Sequence, residues 1–182
     1  MLTFWRYGYE TTSIADLTTA MGVTAPSIYT AYGDKKHLFL EAVRLYAGSS
    51  EELEKTLFGA ETAHDAAYEM LVGSATAFTG EMTPRGCLLA SATASGSKDA
   101  VDVQDAVSEV RRGIQAQLSK RIEKDVTEGI LPKTTNHGAL ASMVIALIQG
   151  MSVLARDGAD RPTLLAIVQT AMQAWPAEAR ST

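Results

Sequence analysis

The stretch GYETTSIADLTTAMGVTAPSIYTAYGDKKHLF, residues 8–39, decides the fold of the chain. Its first half predicts a helix that ends at Met21, because apolar residues recur at helical spacing and Gly22 follows as a stop signal. Thr12 or Ser13 is the candidate cap at the start of this helix. The segment therefore begins with one short, amphipathic helix.

The second half of the stretch predicts two more helices. Thr24 is a candidate cap for a short helix over residues 25–32, and Pro26 lies in its first turn, where a missing N–H costs nothing. Asp34 opens a longer helix beyond Gly33. Two short helices joined by a tight turn are typical of a helix-turn-helix, whose second helix enters the major groove of DNA.

The same residues resemble the DNA-binding domain of TetR/AcrR-family transcriptional regulators. Four strings carry the resemblance, at residues 8–17, 21–24, 27–29 and 35–39, and it extends over about the first 48 residues. The first helix of that family begins earlier than this chain does. We therefore expect the numbered sequence to begin inside that helix.

The resemblance implies a set of DNA-contacting residues and a small core. The implied contacts are Thr12 as a helix cap and phosphate contact, Thr24, Ala25, Pro26 and Ser27 at base edges, Tyr29 and Lys35 at phosphates, and Thr30 near the groove. The implied core residues are Ile14, Leu17, Val23, Ile28 and Leu38. Hydroxyl and amine groups of this kind are suitable donors to phosphate oxygens.

The charge distribution is compatible with DNA binding despite a net charge of −5. The chain has 182 residues, of which 46% are hydrophobic and 20% charged, which is typical of a soluble globular protein. Residues 1–48 hold four basic and four acidic side chains, so the acidic excess belongs to residues 49–182. We expect a nucleic-acid contact to come from the first part alone.

The rest of the chain predicts further helices and no strand, so we assign the whole chain to the all-α class. Gly59 and Gly80 bracket one helix, and a small-residue helix runs from Cys87 to about Ala94, before a break at residues 95–97. The other predicted helices span residues 99–128, residues 136–157, and residues 161–175. The predicted domains are a DNA-binding domain, residues 1–48, and a ligand-binding and dimerisation domain, residues 49–182.

An uncharged run between His137 and Arg156 characterises the helix over residues 136–157. Since a membrane span needs about 20 predominantly apolar residues, and this run contains Ser142, Gln149 and Ser152, we favour a helix buried on most sides within protein. A helix apolar nearly all round predicts contact with its own core and with a second subunit. The sequence therefore predicts a homodimer and no membrane insertion.

The resemblance implies an effector pocket and a dimer interface in the second domain. The candidate pocket residues are Tyr68, Leu71, Phe78, Cys87, Ile114, Met143 and Leu147. The candidate interface residues are Leu140, Val144, Leu147, Met151, Leu165, Val168 and Met172. The implied function is a cytoplasmic repressor that binds a palindromic operator in double-stranded DNA as a dimer and is released by a small-molecule effector.

Two alternatives remain at this point. Cys87, the single cysteine, is either a small buried hydrophobe or a thiol that senses oxidants or electrophiles, with Arg85 nearby. The motif could also hold a partner other than DNA in a helical enzyme or carrier. An enzyme is disfavoured because no Ser/His/Asp, Cys/His or paired-carboxylate pattern stands at usable spacing. No cofactor is implied, and the scattered His and Cys residues have no metal-ligand spacing.

Overall fold

The computed structural model describes residues 1–91 and 100–177, and all regular structure within these ranges is helical. The all-α prediction is confirmed, with one helix, α5, that the sequence patterns did not predict. The helices are α1 (Leu2–Tyr7), α2 (Ile14–Met21), α3 (Ala25–Tyr32), α4 (Lys35–Ala47), α5 (Ser50–Gly59), α6 (Ala63–Phe78), α7 (Leu88–Ser91), α8 (Val101–Thr127), α9 (His137–Arg156) and α10 (Arg161–Met172).

Side-chain caps fix the starts of α2, α3 and α4. Ser13 caps α2 in a reciprocal capping box with Asp16, while Thr24 caps α3 and Asp34 caps α4. The alternative that Thr12 caps α2 is therefore wrong. Between α2 and α3 the chain turns at Gly22, whose backbone is left-handed with φ 67° and ψ 30°. This turn sets the helix-turn-helix geometry, because glycine adopts it without steric cost.

An aromatic and aliphatic core holds the first four helices together. Phe4 of α1 packs edge-on against Phe39 of α4, with ring centroids 5.1 Å apart, and both rings are fully buried. Of the five residues predicted for this core, Leu17, Ile28 and Leu38 are buried and Ile14 is partly buried against them. Val23 is 39% exposed, so its assignment to the core is wrong. It lies in the turn between α2 and α3, where the side chain points away from the packed faces.

Helix α8 is the long central helix of the second part. Its buried apolar stripe includes Val103, Val107, Leu118 and Ile122. It contacts α4, α5, α6 and α9, and so links the first four helices to the remainder. The predicted start at Asp99, the predicted end of the preceding small-residue helix at Ala94 and the break at residues 95–97 lie outside the described residues.

A buried ion pair fastens α5 and α6 to α8. The guanidinium of Arg121 donates to Asp125 one turn along α8, and also to the carbonyl oxygens of Leu57 at 3.0 Å and Glu61 at 3.1 Å. Asp125 accepts the backbone N–H of Ala63, at the start of α6, at 2.6 Å. A buried charge is tolerated only when it is paired and hydrogen-bonded, as both charges are here.

Helix α9 is only partly covered by the rest of the chain. It is long and apolar enough to cross a membrane, with a mean hydropathy of 1.9, and 28% of that window is buried. The chain's own core therefore covers only part of α9, and the expected contact with a second subunit stays a prediction. Val144 and Met151 face the core, whereas Gly150, Val153 and Leu154 are exposed. An uncovered apolar face of this kind calls for a partner surface.

Candidate nucleic-acid interface and effector cavities

Helix α3 presents an exposed, polar surface that could enter a DNA groove. Of the residues predicted to contact DNA, Thr24, Pro26, Ser27, Tyr29 and Thr30 are exposed, and Ala25 is partly buried. The hydroxyl oxygens of Thr24 and Ser27 lie 2.9 Å apart at the first turn of the helix. The opposite side of α3 is anchored by Ile28, which is buried. One side of α3 is therefore packed against the core, and the hydroxyl groups on its other side are exposed.

Thr12 does not belong to this surface. Thr12 is buried, and its hydroxyl donates to the carbonyl oxygen of Gly8 at 2.6 Å. The prediction that its side chain caps α2 and touches a phosphate is wrong, because the hydroxyl is inside the domain and its hydrogen is already donated. Thr12 instead closes the turn between α1 and α2.

Lys35 also has a structural task that the sequence did not reveal. Its Nζ donates to the carbonyl oxygens of Tyr9 and Thr12, each at 3.0 Å, and lies 4.5 Å from the centre of the Tyr9 ring. Burial lowers the pKa of this amine from its usual value. A lysine has three N–H donors, so one remains for a phosphate. The phosphate contact of Lys35 stays a prediction.

Lys36 connects α4 to α8. Its Nζ lies 2.5 Å from a carboxylate oxygen of Asp102, which raises the pKa of Lys36 and lowers the pKa of Asp102. The Asp102 side chain is 75% exposed. An exposed pair of this kind contributes little to stability, because water and salt screen it.

The residues predicted to line one effector pocket do not share a cavity. Leu71, Phe78 and Cys87 are packed into the core, and Tyr68 is exposed beside His64. The remaining three predicted residues, Ile114, Met143 and Leu147, are partly buried. Ile114 lines one cavity and Met143 lines another. The prediction of one pocket lined by all seven residues is therefore wrong, because Leu71, Phe78 and Cys87 are packed into the core.

One cavity lies where α4 meets α5, and we call it the hinge cavity. Its volume is about 210 Å³, and α8 forms its opposite wall. Gln117 donates to the hydroxyl of Ser50 at its edge, while the Gln117 Oε1 is buried and accepts no hydrogen bond within the described part of the chain. The lining residues are Arg44, Ala47, Gly48, Ser49, Ser50, Leu53, Val110, Gly113, Ile114 and Gln117.

A second cavity lies at the far ends of α8 and α10, and we call it the distal cavity. Its volume is about 290 Å³, and it is lined by both apolar and polar groups, including His64, Asp125 and Trp175. The indole N–H of Trp175 is buried without an acceptor among the described residues. Over residues 1–91 and 100–177, no group of three or more His, Cys, Asp or Glu side chains is arranged to hold a metal ion.

The predicted dimer interface also needs correction. Val144, Met151, Val168 and Met172 are buried in the chain's own core, so they are not available to a second copy. Leu140, Leu147 and Leu165 are only partly buried and remain predictions. The exposed side of α9 is instead formed by other residues: Ala139, Ser142, Ala146, Gly150, Val153 and Leu154.

Cys87 lies at the junction between the two parts of the chain. It is 4% exposed, and its backbone N–H donates to the hydroxyl of Ser152 at 2.8 Å. Tyr46, on α4, is its neighbour, and burial raises the pKa of the Tyr46 hydroxyl. The interpretation of Cys87 as a small buried residue fits this position.

A capped recognition helix, a helical second part and two cavities define a helix-turn-helix regulator, and sequence comparison agrees. The family described as bacterial regulatory proteins, tetR family, matches residues 3–42, and the family described as tetracyclin repressor-like, C-terminal domain, matches residues 69–172. The chain belongs to the TetR family of transcriptional regulators.

Individual relatives and solved structures support the assignment. The chain is 30% identical to the HTH-type transcriptional repressor ComR of Escherichia coli K12, over 97% of this chain and 85% of ComR. It is 35% identical, with a TM-score of 0.90, to a cysteine mutant of the TetR-family regulator CifR complexed with a 26-base-pair operator, over 96% and 92% of the chains. Escherichia coli NemR in its reduced form has the same fold, with a TM-score of 0.79 and 19% identity over 98% and 93% of the chains.

We expect Lys35→Ala to lower the free energy of unfolding by about 1–2 kcal/mol, because two carbonyl oxygens lose a charged donor. Urea unfolding followed by circular dichroism measures this change. Lys36→Ala is the matched control, since it removes the adjacent lysine from a surface ion pair and is expected to cost about 0.5 kcal/mol or less. Equal effects of the two substitutions would contradict the structural role of Lys35 in the turn between α1 and α2.

Proposed function

We propose that the protein is a homodimeric transcriptional repressor that binds a palindromic operator through α3 and is released by a small-molecule effector. The observation that carries this proposal is the exposed polar side of α3, held at a fixed angle by the turn at Gly22. The operator complex of CifR and the repressor ComR support it by analogy. Repression follows when the bound dimer excludes other proteins from the same DNA.

Base edges and phosphates are contacted by different residues of α3. Thr24, Ala25, Pro26 and Ser27 form its leading end and face the bases, which gives the sequence preference. Tyr29, which is 50% exposed, donates to a phosphate, and Thr30 lies close to the groove. The remaining N–H of Lys35 completes the phosphate contacts at the start of α4. Phosphate contacts fix the register of the protein on DNA without selecting a sequence.

A second copy of the chain covers the exposed side of α9. The small residues Ala139, Ser142, Ala146 and Gly150 precede Val153 and Leu154 along this side, so two α9 helices can approach closely. A two-fold axis here repeats the same patch on both copies and places two α3 helices symmetrically, as a palindromic operator requires. The uncharged surface of α9 is thereby removed from water.

The hinge cavity is the effector site that we favour over the distal cavity. It contacts α4, which carries the recognition helix, at the break between α4 and α5 around Gly48. A ligand shifts an equilibrium only through contacts that differ between the two states. A ligand wedged at this break changes the angle of α4 to α8, whereas the distal cavity lies far along α8 from α4. A typical coupling of this kind is about 1–3 kcal/mol.

We expect Tyr29→Phe to weaken binding to all DNA sequences by a similar factor, roughly fivefold, because one phosphate hydrogen bond is lost. Ser27→Ala is expected to change which operator variants are preferred, by about 1–3 kcal/mol at the affected base pair. Fluorescence anisotropy on an operator selected from random duplexes, and on its single-base variants, measures both effects. Tyr7→Phe, at an exposed tyrosine on α1, is the control that should change neither.

We expect Val153→Glu to dissociate the dimer, with a rise in Kd of about 100-fold or more, because it places a charge in an apolar contact. Val153 is 56% exposed in the single chain, so the substitution leaves the monomer core untouched. Sedimentation velocity at micromolar concentration gives the measurement. Val101→Glu, at an exposed valine in the first turn of α8, is the matched control and should stay dimeric. A dimer that survives Val153→Glu places the interface elsewhere.

We expect Gly113→Leu to block effector binding while operator affinity is retained. Gly113 lines the hinge cavity, and an added Cβ there has no neighbour within 4 Å, so a side chain can begin at this position without a Cβ clash. Gly73→Leu, on α6, is equally unobstructed and lies outside the cavity. Native mass spectrometry after gentle purification should detect a retained small molecule on the wild type and Gly73→Leu only. The same molecule retained by Gly113→Leu moves the effector to another site.

A further inference from the structure

Two segments that lie far apart in the sequence meet at helix α1. The residues at 84–87 and the end of α9 both contact Trp5 of α1. The indole N–H of Trp5 donates to the carbonyl oxygen of Gly86 at 2.9 Å, inside the protein. Arg156, the last residue of α9, donates from Nη2 to the carbonyl oxygen of Trp5 at 3.2 Å. Trp5 is therefore held through both its side chain and its backbone.

The bond from Arg156 satisfies a group that the helix leaves open. Trp5 belongs to the last turn of α1, where carbonyl oxygens have no partner within the helix. A cationic side chain at a helix C-terminus is favourable, because the carbonyl dipoles point toward it. Arg156 thus caps α1 from a different part of the fold, 151 residues along the chain.

Gly86 makes the close approach of α9 possible. Its φ of +79° is in the region that favours glycine, and a Cβ at this position would lie 2.8 Å from both the Arg156 Nε and the Ser152 carbonyl oxygen. The next residue, Cys87, donates its backbone N–H to the Ser152 hydroxyl at 2.8 Å. The last two turns of α9 are therefore packed directly on residues 86–87.

The same junction reaches α4 through an aromatic contact. The ring of Trp5 packs edge-on against Tyr46, with centroids 4.8 Å apart, and Trp5 is buried. The ion pair of Lys36 with Asp102 also links α4 to the second part, but it is exposed and screened. The hydrogen bond from the Trp5 indole is buried and the one from Arg156 is partly buried, so with the ring packing they are more directional than an exposed ion pair. The junction at Trp5 therefore defines the angle between α1 and α9.

We propose that Arg156 and Gly86 are positioning residues for operator binding, which set the orientation of the helix-turn-helix relative to α9. The inference rests on the proposed dimer, in which α9 contacts its counterpart at the two-fold axis. Since each DNA-binding unit is then fixed to the axis through Trp5, the junction sets the distance between the two α3 helices. It therefore determines which half-site spacing the dimer accepts.

The test compares a full operator with a single half-site. We expect Arg156→Ala to weaken binding to the full operator about tenfold, as loss of one charge-assisted hydrogen bond implies, and to leave half-site binding within about twofold. The preference for the half-site spacing of the selected operator, over spacings one base pair longer or shorter, should fall by a similar factor. Arg156→Lys retains a donor and should recover most of the full-operator affinity.

Arg85→Ala is the matched control for these variants. Arg85 donates to the carbonyl oxygens of Ala155 and Ala159, so its hydrogen bonds join the same two segments and not α1. It should change neither affinity nor spacing preference. Gly86→Ala should reproduce the effect of Arg156→Ala if it folds, as judged by circular dichroism. If Gly86→Ala does not fold, the test rests on the two Arg156 variants. These are expected to fold, because the Arg156 side chain is largely at the surface.

Two results would overturn the proposal. Equal losses on the full operator and on the half-site would make Arg156 a residue of general stability, and unchanged spacing preference would remove its positioning role. Failure of the proposed function is detected separately, by measurements on the wild-type protein without any variant. A wild-type protein that is monomeric, or that selects no palindromic duplex, refutes the proposed function before any variant is compared.

Discussion

The second part of the structure depends on the buried ion pair and the hydrogen bonds that the guanidinium of Arg121 makes. The guanidinium satisfies carbonyl oxygens at the end of α5, and its partner Asp125 satisfies the first N–H of α6. The turn between α5 and α6 is therefore fixed to α8 by charge-assisted hydrogen bonds that water does not reach. Both cavities take one wall from this arrangement, since α5 lines the hinge cavity and the start of α6 lines the distal cavity.

Local signals were enough to predict most of the helices. Thr24, Asp34 and Gly22 act on residues within one turn, so a cap or a stop is readable from a few neighbouring positions. The helix over residues 99–128 was likewise predictable, because its apolar residues repeat at helical spacing over many turns. Helix α5 was missed, although Ser49 and Glu52 form a capping box at its start, since its sequence is largely polar and shows little apolar periodicity.

Roles that depend on distant neighbours could not be predicted. Thr12 and Lys35 were expected at DNA from the resemblance alone, yet both donate to backbone carbonyl oxygens around the first turn of the domain. The acceptors of Lys35 lie 23 and 26 residues away, beyond any local pattern. Two of the predicted dimer residues on α9, Val144 and Met151, failed for a different reason. A helix that is uncharged on all sides gives no indication of which side faces its own core.

The capping of α1 has a consequence for local unfolding. The last turn of a helix such as α1 leaves its carbonyl oxygens without partners inside the helix. Side chains from three other places, Arg156, Thr12 and Lys35, hold the carbonyl oxygens at its end and in the following turn. Amide hydrogen exchange in α1 therefore requires these contacts to open together, so α1, the turn and the end of α9 form one cooperative unit.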